Sequence, residues 1–126
     1  MAAENPNTQL ANTIKALQQE LPKVQDKAGF IPNVFLALAR RPAEWRAVFA
    51  PHDALMTPET VGRTSGLTKG EREMIVVATS GANNCVYCVV AHGAILRIYE
   101  KNPLIAEQVA TNYRKADIPP RGKAML

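Results

Sequence analysis

Two cysteines and a histidine inside one strongly helical stretch constrain this chain more than any other feature. The stretch runs from Leu67 to Tyr99 and is predicted to form two helices joined by a tight turn. Thr68 and Glu71 have the spacing of a capping box, so the first helix is expected to begin there. Glycine and asparagine follow Ser80, which is typical of a helix end and a turn, and the second helix is expected to begin at about Cys85.

The spacing brings four reactive side chains to corresponding depths in this hairpin. Cys85, Cys88 and His92 stand at i, i+3 and i+7 on the second helix, which puts them on one face. Glu73 lies seven residues before the expected end of the first helix, and His92 lies seven residues after the start of the second. At about 1.5 Å rise per residue, both lie roughly 10 Å from the turn. We therefore expect a carboxylate, an imidazole and two thiols to converge in one small site.

Each residue type in this pattern suits thiol chemistry. Two cysteines separated by two residues can close a disulfide and reopen it. A thiol near the N-terminus of a helix is favoured as the thiolate, because unpaired N–H groups give that end a partial positive charge. A histidine one turn further on can take or return a proton near neutral pH, and a carboxylate can orient it.

The pattern Glu73-x11-Cys85-x2-Cys88-x3-His92 resembles the signature of the AhpD-like alkylhydroperoxidases in the carboxymuconolactone decarboxylase superfamily. Upstream, GFIPNVFLALARRP is similar to the peroxidase-related branch, so the resemblance extends from about Ala28 to the end of the chain. Some members carry a histidine between the cysteines, where this chain has Tyr87. The resemblance implies an all-α, AhpD-like helical bundle built around a CxxC helical hairpin and working as a homo-oligomer.

The resemblance also implies an activity, a thiol-dependent peroxidase or disulfide oxidoreductase. Hydroperoxides would be reduced through the Cys85–Cys88 pair with a proton relay from Glu73 and His92, and a dithiol or a redox protein would restore the pair. No cofactor and no metal are expected. Because His92 lies one turn from Cys88, we expect Cys88 to attack the peroxide and Cys85 to resolve the product, although the helix terminus alone favours Cys85 as the thiolate.

Three alternatives remain open at the level of the sequence. Cys85, Cys88 and His92 are three possible zinc ligands, and His52 or Glu73 could supply the fourth in a zinc-binding structural or interaction module. A helical interaction module with inert cysteines is the second. The third is a lactone decarboxylase of the same superfamily, although that branch generally lacks the paired cysteines.

Composition excludes several classes of function. The chain has 126 residues, which suits one domain, and its net charge of +4 arises from 15 basic and 11 acidic residues without a long basic run. We therefore expect no nucleic-acid partner. No apolar stretch approaches the roughly 20 residues of a membrane span, and no signal peptide is evident, so a cytoplasmic protein without a membrane partner is expected.

The remaining segments are predicted to support the hairpin. Residues 1–27 are expected to form an N-terminal helix, ending before Pro22, and a connector, whereas residues 28–126 are expected to form the core of a single domain. Truncation after Leu126 is a further expectation. His52 lies on an apolar stripe of a later helix and is read as a core histidine or, with Tyr87, as a pocket residue. Further expectations are a short helix from Pro32 with Val34, Phe35 and Leu38 in the core, a loop from Thr57 to Gly66 over the site, and a helix from Leu104 to Ala116.

Overall fold

The computed structural model describes residues 5–57 and 66–126, and every regular element within these ranges is an α-helix. The predicted all-α class is therefore confirmed. The chain divides into two compact units, residues 1–53 and 54–126. The single domain over residues 1–126 stays a prediction. The helices are α1 (Pro6–Ala28), α2 (Asn33–Ala39), α3 (Pro42–Met56), α4 (Lys69–Ala82), α5 (Val86–Glu100), α6 (Ile105–Asn112) and α7 (Pro120–Met125).

Helix α1 does not end before Pro22 as predicted, but continues through it to Ala28. Proline removes one backbone donor, and the carbonyl left unpaired is four residues earlier, at Gln18. Gln18 is exposed, so water can hydrogen-bond there in place of the missing N–H. The helix ends instead at Gly29, whose φ of 77° is left-handed and whose N–H bonds the Gln25 carbonyl at 2.8 Å. This left-handed glycine is a stronger stop signal than the proline.

Helices α2 and α3 contain no buried residue. The prediction that α2 carries three side chains into the core is wrong for Val34, which is exposed, whereas Phe35 is half-buried and stacks on Phe49 with ring centroids 4.6 Å apart. Trp45 adds a third ring, 5.0 Å from Phe49. Helical periodicity identified the apolar faces of these helices, but it did not identify the residues that pack against those faces.

The core of the C-terminal unit lies where α4, α5 and α6 pack together. Its three largest fully buried side chains come from one helix each: Val77 from α4, Leu96 from α5 and Val109 from α6. Burying aliphatic side chains of this size stabilises a fold by about 1.5–3 kcal/mol each. This three-helix core therefore holds α4 and α5 in a fixed register.

The turn between α4 and α5 differs from its prediction in two details. Helix α4 runs to Ala82 rather than ending near Ser80, because Gly81 stays helical. A Cβ on Gly81 would lie 2.4 Å from the Ala110 carbonyl oxygen, so this glycine serves the close approach of α6. Asn84 adopts the left-handed conformation, with φ 55°, and Cys85 takes the N-cap position of α5.

The C-terminal segments are shorter than expected. Asn102 and Pro103 precede α6, and the Asn102 side chain accepts a hydrogen bond from the Leu104 N–H at 3.0 Å. The helix predicted to reach Ala116 ends at Asn112 in a turn. Within the described residues, no helix combines the length and hydropathy that crossing a bilayer requires.

Candidate active site

Glu73 and His92 face each other across α4 and α5. His92 Nδ1 lies 2.7 Å from Glu73 Oε2, and the Glu73 side chain is only 8% exposed. A carboxylate is a hydrogen-bond acceptor, so Nδ1 is assigned as the protonated nitrogen and donates to it. Nε2 of a neutral His92 then carries the lone pair that can accept a proton.

The two thiols lie together at the entrance to α5. Cys85 and Cys88 are free and half-buried, and their sulfur atoms are 2.7 Å apart. Cys85 occupies the N-cap, where the first N–H groups of the helix lack intrahelical partners. Helix geometry places His92 one turn beyond Cys88 on the same face. The site thus combines a dithiol with a buried carboxylate–imidazole pair.

The two thiols differ in their affinity for a proton. The pKa of Cys85 is lowered, first by the hydrogen bond from the Cys88 thiol and second by the Cys88 backbone N–H. The pKa of Cys88 is raised, chiefly because its proton is held by the Cys85 sulfur and because it is more buried. When the pair loses its first proton, the charge therefore resides on Cys85. This favours Cys85 as the first thiol of the pair to ionise, the reverse of the assignment expected from the neighbouring histidine.

Ser80 is a site residue that the sequence prediction did not include. It is 8% exposed and its carbonyl accepts the Cys85 N–H at 2.9 Å. Its side chain acts to lower the pKa of the Cys88 thiol, in part offsetting the effect of Cys85. The signal in the sequence is its position seven residues after Glu73, which places both on one face of α4.

The two residues predicted to line a pocket, Tyr87 and His52, are both exposed. Tyr87 lies between the cysteines on the outer side of α5 and is 57% exposed. His52 is not the core histidine that its apolar stripe suggested, because its side chain is 45% exposed. Its Nδ1 lies 3.2 Å from the carboxylate of the adjacent Asp53. Most of the loop predicted to cover the site, residues 58–65, falls outside the described residues.

The zinc alternative depends on how the candidate ligands are arranged. Among residues 5–57 and 66–126, no three histidine, cysteine, aspartate or glutamate side chains are arranged to hold a metal ion. Cys85, Cys88 and His92 share a helix face, but the His92 ring is turned to Glu73. A structural zinc site needs four ligands in a tetrahedral arrangement around one ion.

Comparisons with known proteins agree with this architecture. Residues 53–114 match the model of the carboxymuconolactone decarboxylase family. The chain is similar to an alkylhydroperoxidase AhpD core protein, an uncharacterized peroxidase-related protein from Ralstonia eutropha JMP134, with 70% identity, a TM-score of 0.79 and 89% of this chain covered. A peroxidase-related protein from Silicibacter sp. TM1040 is 38% identical, with a TM-score of 0.78 over the same 89%.

The chain spans 56% of the length of each of these two solved structures. A comparison with curated proteins found no match.

Proposed function

We propose that this chain, which belongs to the carboxymuconolactone decarboxylase family and has the AhpD-like fold, reduces hydroperoxides with its paired thiols. The observation that carries the proposal is the 2.7 Å contact between two free sulfur atoms at a helix N-terminus. A buried carboxylate–imidazole pair lies along the same hairpin. Together these groups supply a thiolate, a second thiol to resolve it and a proton acceptor.

In the first step the Cys85 thiolate attacks one oxygen of the hydroperoxide. The O–O bond breaks, the Cys85 sulfur is oxidised to a sulfenic acid, and an alkoxide leaves. The proton of the Cys88 thiol is transferred through His92 to the alkoxide. The alkoxide then departs as an alcohol. Cys88 is then a thiolate at the moment when a second nucleophile is required.

In the second step the Cys88 thiolate attacks the Cys85 sulfur. An S–S bond forms, the S–O bond breaks, and hydroxide leaves and takes a proton from solvent to become water. The dithiol has then lost two electrons to one hydroperoxide. The Cys85–Cys88 spacing suits this closure because residues at i and i+3 of a helix lie on one face.

An external dithiol or a reduced redox protein must return two electrons to the disulfide. Its thiolate attacks one sulfur of the pair, a mixed disulfide forms, and its second thiol releases the chain in the dithiol state. The Cys88 backbone N–H, which helps to lower the pKa of Cys85, remains when Cys88 is in the mixed disulfide, and it favours Cys85 as the leaving thiolate. Attack on Cys88 is therefore the favoured route of reduction.

Glu73 serves the relay by fixing the tautomer of His92. Its carboxylate accepts the Nδ1 hydrogen, which leaves Nε2 as the basic nitrogen, and its charge stabilises the imidazolium that forms when a thiol proton arrives. The pair is well suited to this because Glu73 is buried against the fully buried Val77, where charge interactions are less screened.

The test is a peroxide-consumption assay on the 126-residue chain with a panel of dithiol donors, including a lipoyl-type dithiol. We expect turnover that depends on donor, and none in the variant with both cysteines replaced by serine. Trapping of the sulfenic acid in the single variants assigns the roles. Cys88→Ser should form it at Cys85, and Cys85→Ser should not accumulate it at Cys88. Donor-dependent consumption that persists without either cysteine would overturn the proposal.

We also propose that the chain works as a homo-oligomer. Three aliphatic side chains of α5 that share a helix face, Val86, Val90 and Ile98, are 74%, 64% and 72% exposed. Contiguous exposed apolar surface of this kind is typical of protein–protein contacts. Sedimentation at micromolar concentration should give a mass above that of the 13.7 kDa monomer, and a clean monomer would contradict this.

A further inference from the structure

The sulfur pair has the geometry of a chelate, in which two side chains bond to one atom of a ligand. Cys85 and Cys88 are free thiols, and their sulfur atoms are 2.7 Å apart. Both residues are half-buried rather than enclosed, so a small molecule can reach them. Residues at i and i+3 of a helix lie on one face, so both sulfur atoms meet a ligand from the same side.

The described part of the chain supplies two ligands at this point and not three. His92, one turn beyond Cys88, has its Nδ1 2.7 Å from Glu73 Oε2. Across residues 5–57 and 66–126, no three histidine, cysteine, aspartate or glutamate side chains are grouped to hold a metal ion. The pair therefore suits a centre that takes two thiolates from the protein and keeps a third substituent of its own.

The distance between the sulfur atoms decides which bond angles such a centre can have. With bonds of about 2.3 Å, as in zinc thiolates, a linear centre needs its two sulfur atoms roughly 4.6 Å apart. A pyramidal centre with bonds near right angles needs them roughly 3.3 Å apart. The observed 2.7 Å is near the second distance and far from the first, and small side-chain rotations can supply the difference. A pyramidal centre is therefore favoured.

The stretch of chain around the thiols carries no charged side chain. From Met74 to Ala91 the sequence contains no aspartate, glutamate, lysine or arginine. Tyr87, between the two cysteines in sequence, is 57% exposed. A neutral ligand with an apolar substituent can approach such a surface without losing the hydration of a charge, and removing apolar area from water favours its binding.

We propose that the reduced Cys85–Cys88 pair binds trivalent organic arsenicals, in which one arsenic atom carries one carbon substituent and two exchangeable oxygen ligands. Trivalent arsenic is pyramidal and soft, and soft centres prefer thiolate ligands. With phenylarsine oxide, each thiol gives up its proton and two As–S bonds form. The oxygen leaves with both protons as one water, and the phenyl group stays on arsenic. No electron is transferred, so the reaction needs no oxidant or reductant.

Two bonds to arsenic should hold the ligand far more tightly than one. Once the first As–S bond has formed, the second forms within one molecule, and linking two binding events in this way strengthens binding by about 10²–10⁴-fold. Cys85→Ser and Cys88→Ser each leave a single sulfur. Each variant should therefore bind phenylarsine oxide at least about 10²-fold more weakly than the unchanged chain.

The experiment titrates the reduced 126-residue chain, freed of other thiols, with phenylarsine oxide. Intact mass and free thiols are measured, and affinity is obtained by competition with 2,3-dimercaptopropanol. We expect one ligand per chain, a mass gain equal to phenylarsine oxide less one water, and loss of both titratable thiols. A chain whose pair has been oxidised to the disulfide is the control and should bind none. Single-cysteine variants that bind as tightly as the unchanged chain would overturn the proposal.

Urea unfolding tests whether the folded geometry matters, because two cysteines of an unfolded chain can also bind arsenic. A ligand that prefers the folded state raises the urea midpoint. We expect phenylarsine oxide to raise it, since the fold already holds the sulfur atoms together. An unchanged or lowered midpoint would overturn the proposal. Neither measurement involves peroxide, so a chain that binds the arsenical without consuming peroxide would support this site and contradict the proposed function.

Discussion

Replacement of Glu73 by glutamine removes the charge of the relay and keeps its shape. His92 Nδ1 lies 2.7 Å from Glu73 Oε2. The side-chain amide oxygen of a glutamine at this position can still accept the hydrogen bond from Nδ1. The fold and both titratable thiols should therefore survive. In the proposed relay, what is lost is the negative charge that would stabilise His92 after it has taken the proton of Cys88.

The size of this loss can be worked from the contact. Hydrogen bonds to charged groups contribute about 1.5–3 kcal/mol, roughly twice the value for neutral partners. At 8% exposure the Glu73 side chain is shielded from water, so the upper part of that range applies. Glutamine keeps a neutral hydrogen bond, so about half of this contribution is lost, about 1.5 kcal/mol. Each 1.36 kcal/mol is tenfold in rate, and we expect Glu73→Gln to slow peroxide turnover by roughly tenfold.

The assay is steady-state peroxide consumption with saturating dithiol, together with the pH dependence of Cys88 alkylation. Glu71→Gln is the matched control, because it removes a carboxylate from the same helix while keeping the capping-box pattern with Thr68. The control should keep turnover within about twofold, whereas Glu73→Gln should also move the ionisation of Cys88 upward. Wild-type turnover in Glu73→Gln, with Cys88 ionising as before, would show that the carboxylate is only a helix-terminus charge.

Two further predictions concern the scaffold. Gly81→Ala places a Cβ 2.4 Å from the Ala110 carbonyl oxygen and should lower the free energy of unfolding by about 1–3 kcal/mol, whereas Gly66→Ala, with no atom within 4 Å, should be close to neutral; urea unfolding measures both. The pKa of Glu71 is lowered, chiefly by its hydrogen bond from Arg121, so this ion pair contributes stability at neutral pH that is lost as pH falls through the folded pKa of Glu71. Arg121 also donates to the Gly66 carbonyl, which does not titrate, so Arg121→Ala should destabilise the chain more at neutral pH than in acid, and equal destabilisation at both would contradict this origin.

The site could be anticipated from the sequence because, in a helical hairpin, the number of residues between a side chain and the turn sets its distance from the turn. The capping box at Thr68 and Glu71 is present, and counting from the turn brought Glu73 and His92 to one level, where the structure has them 2.7 Å apart. Two helices of known hand and rise, joined by a short turn, leave little freedom in their register. The convergence of these side chains therefore followed from local rules.

What could not be anticipated depends on contacts between segments distant in sequence. Gly81 looked like a helix stop, but its missing side chain accommodates the backbone of Ala110, a contact that no local pattern reveals. The difference in pKa between the two thiols depends chiefly on the contact between their sulfur atoms, 2.7 Å apart, a distance that residue spacing alone does not supply. His52 lies on an apolar face of its helix but is exposed. Periodicity identifies such a face and does not show whether other residues pack against it.

The most direct test of the central claim is the stoichiometry of a single turnover. The fully reduced 126-residue chain is mixed with one equivalent of an organic hydroperoxide in the absence of any donor, and residual peroxide, free thiols and protein mass are followed together. We expect each peroxide consumed to remove two thiols and to yield an intramolecular Cys85–Cys88 disulfide, with the alcohol as product. Peroxide that persists while both thiols remain titratable would contradict the account.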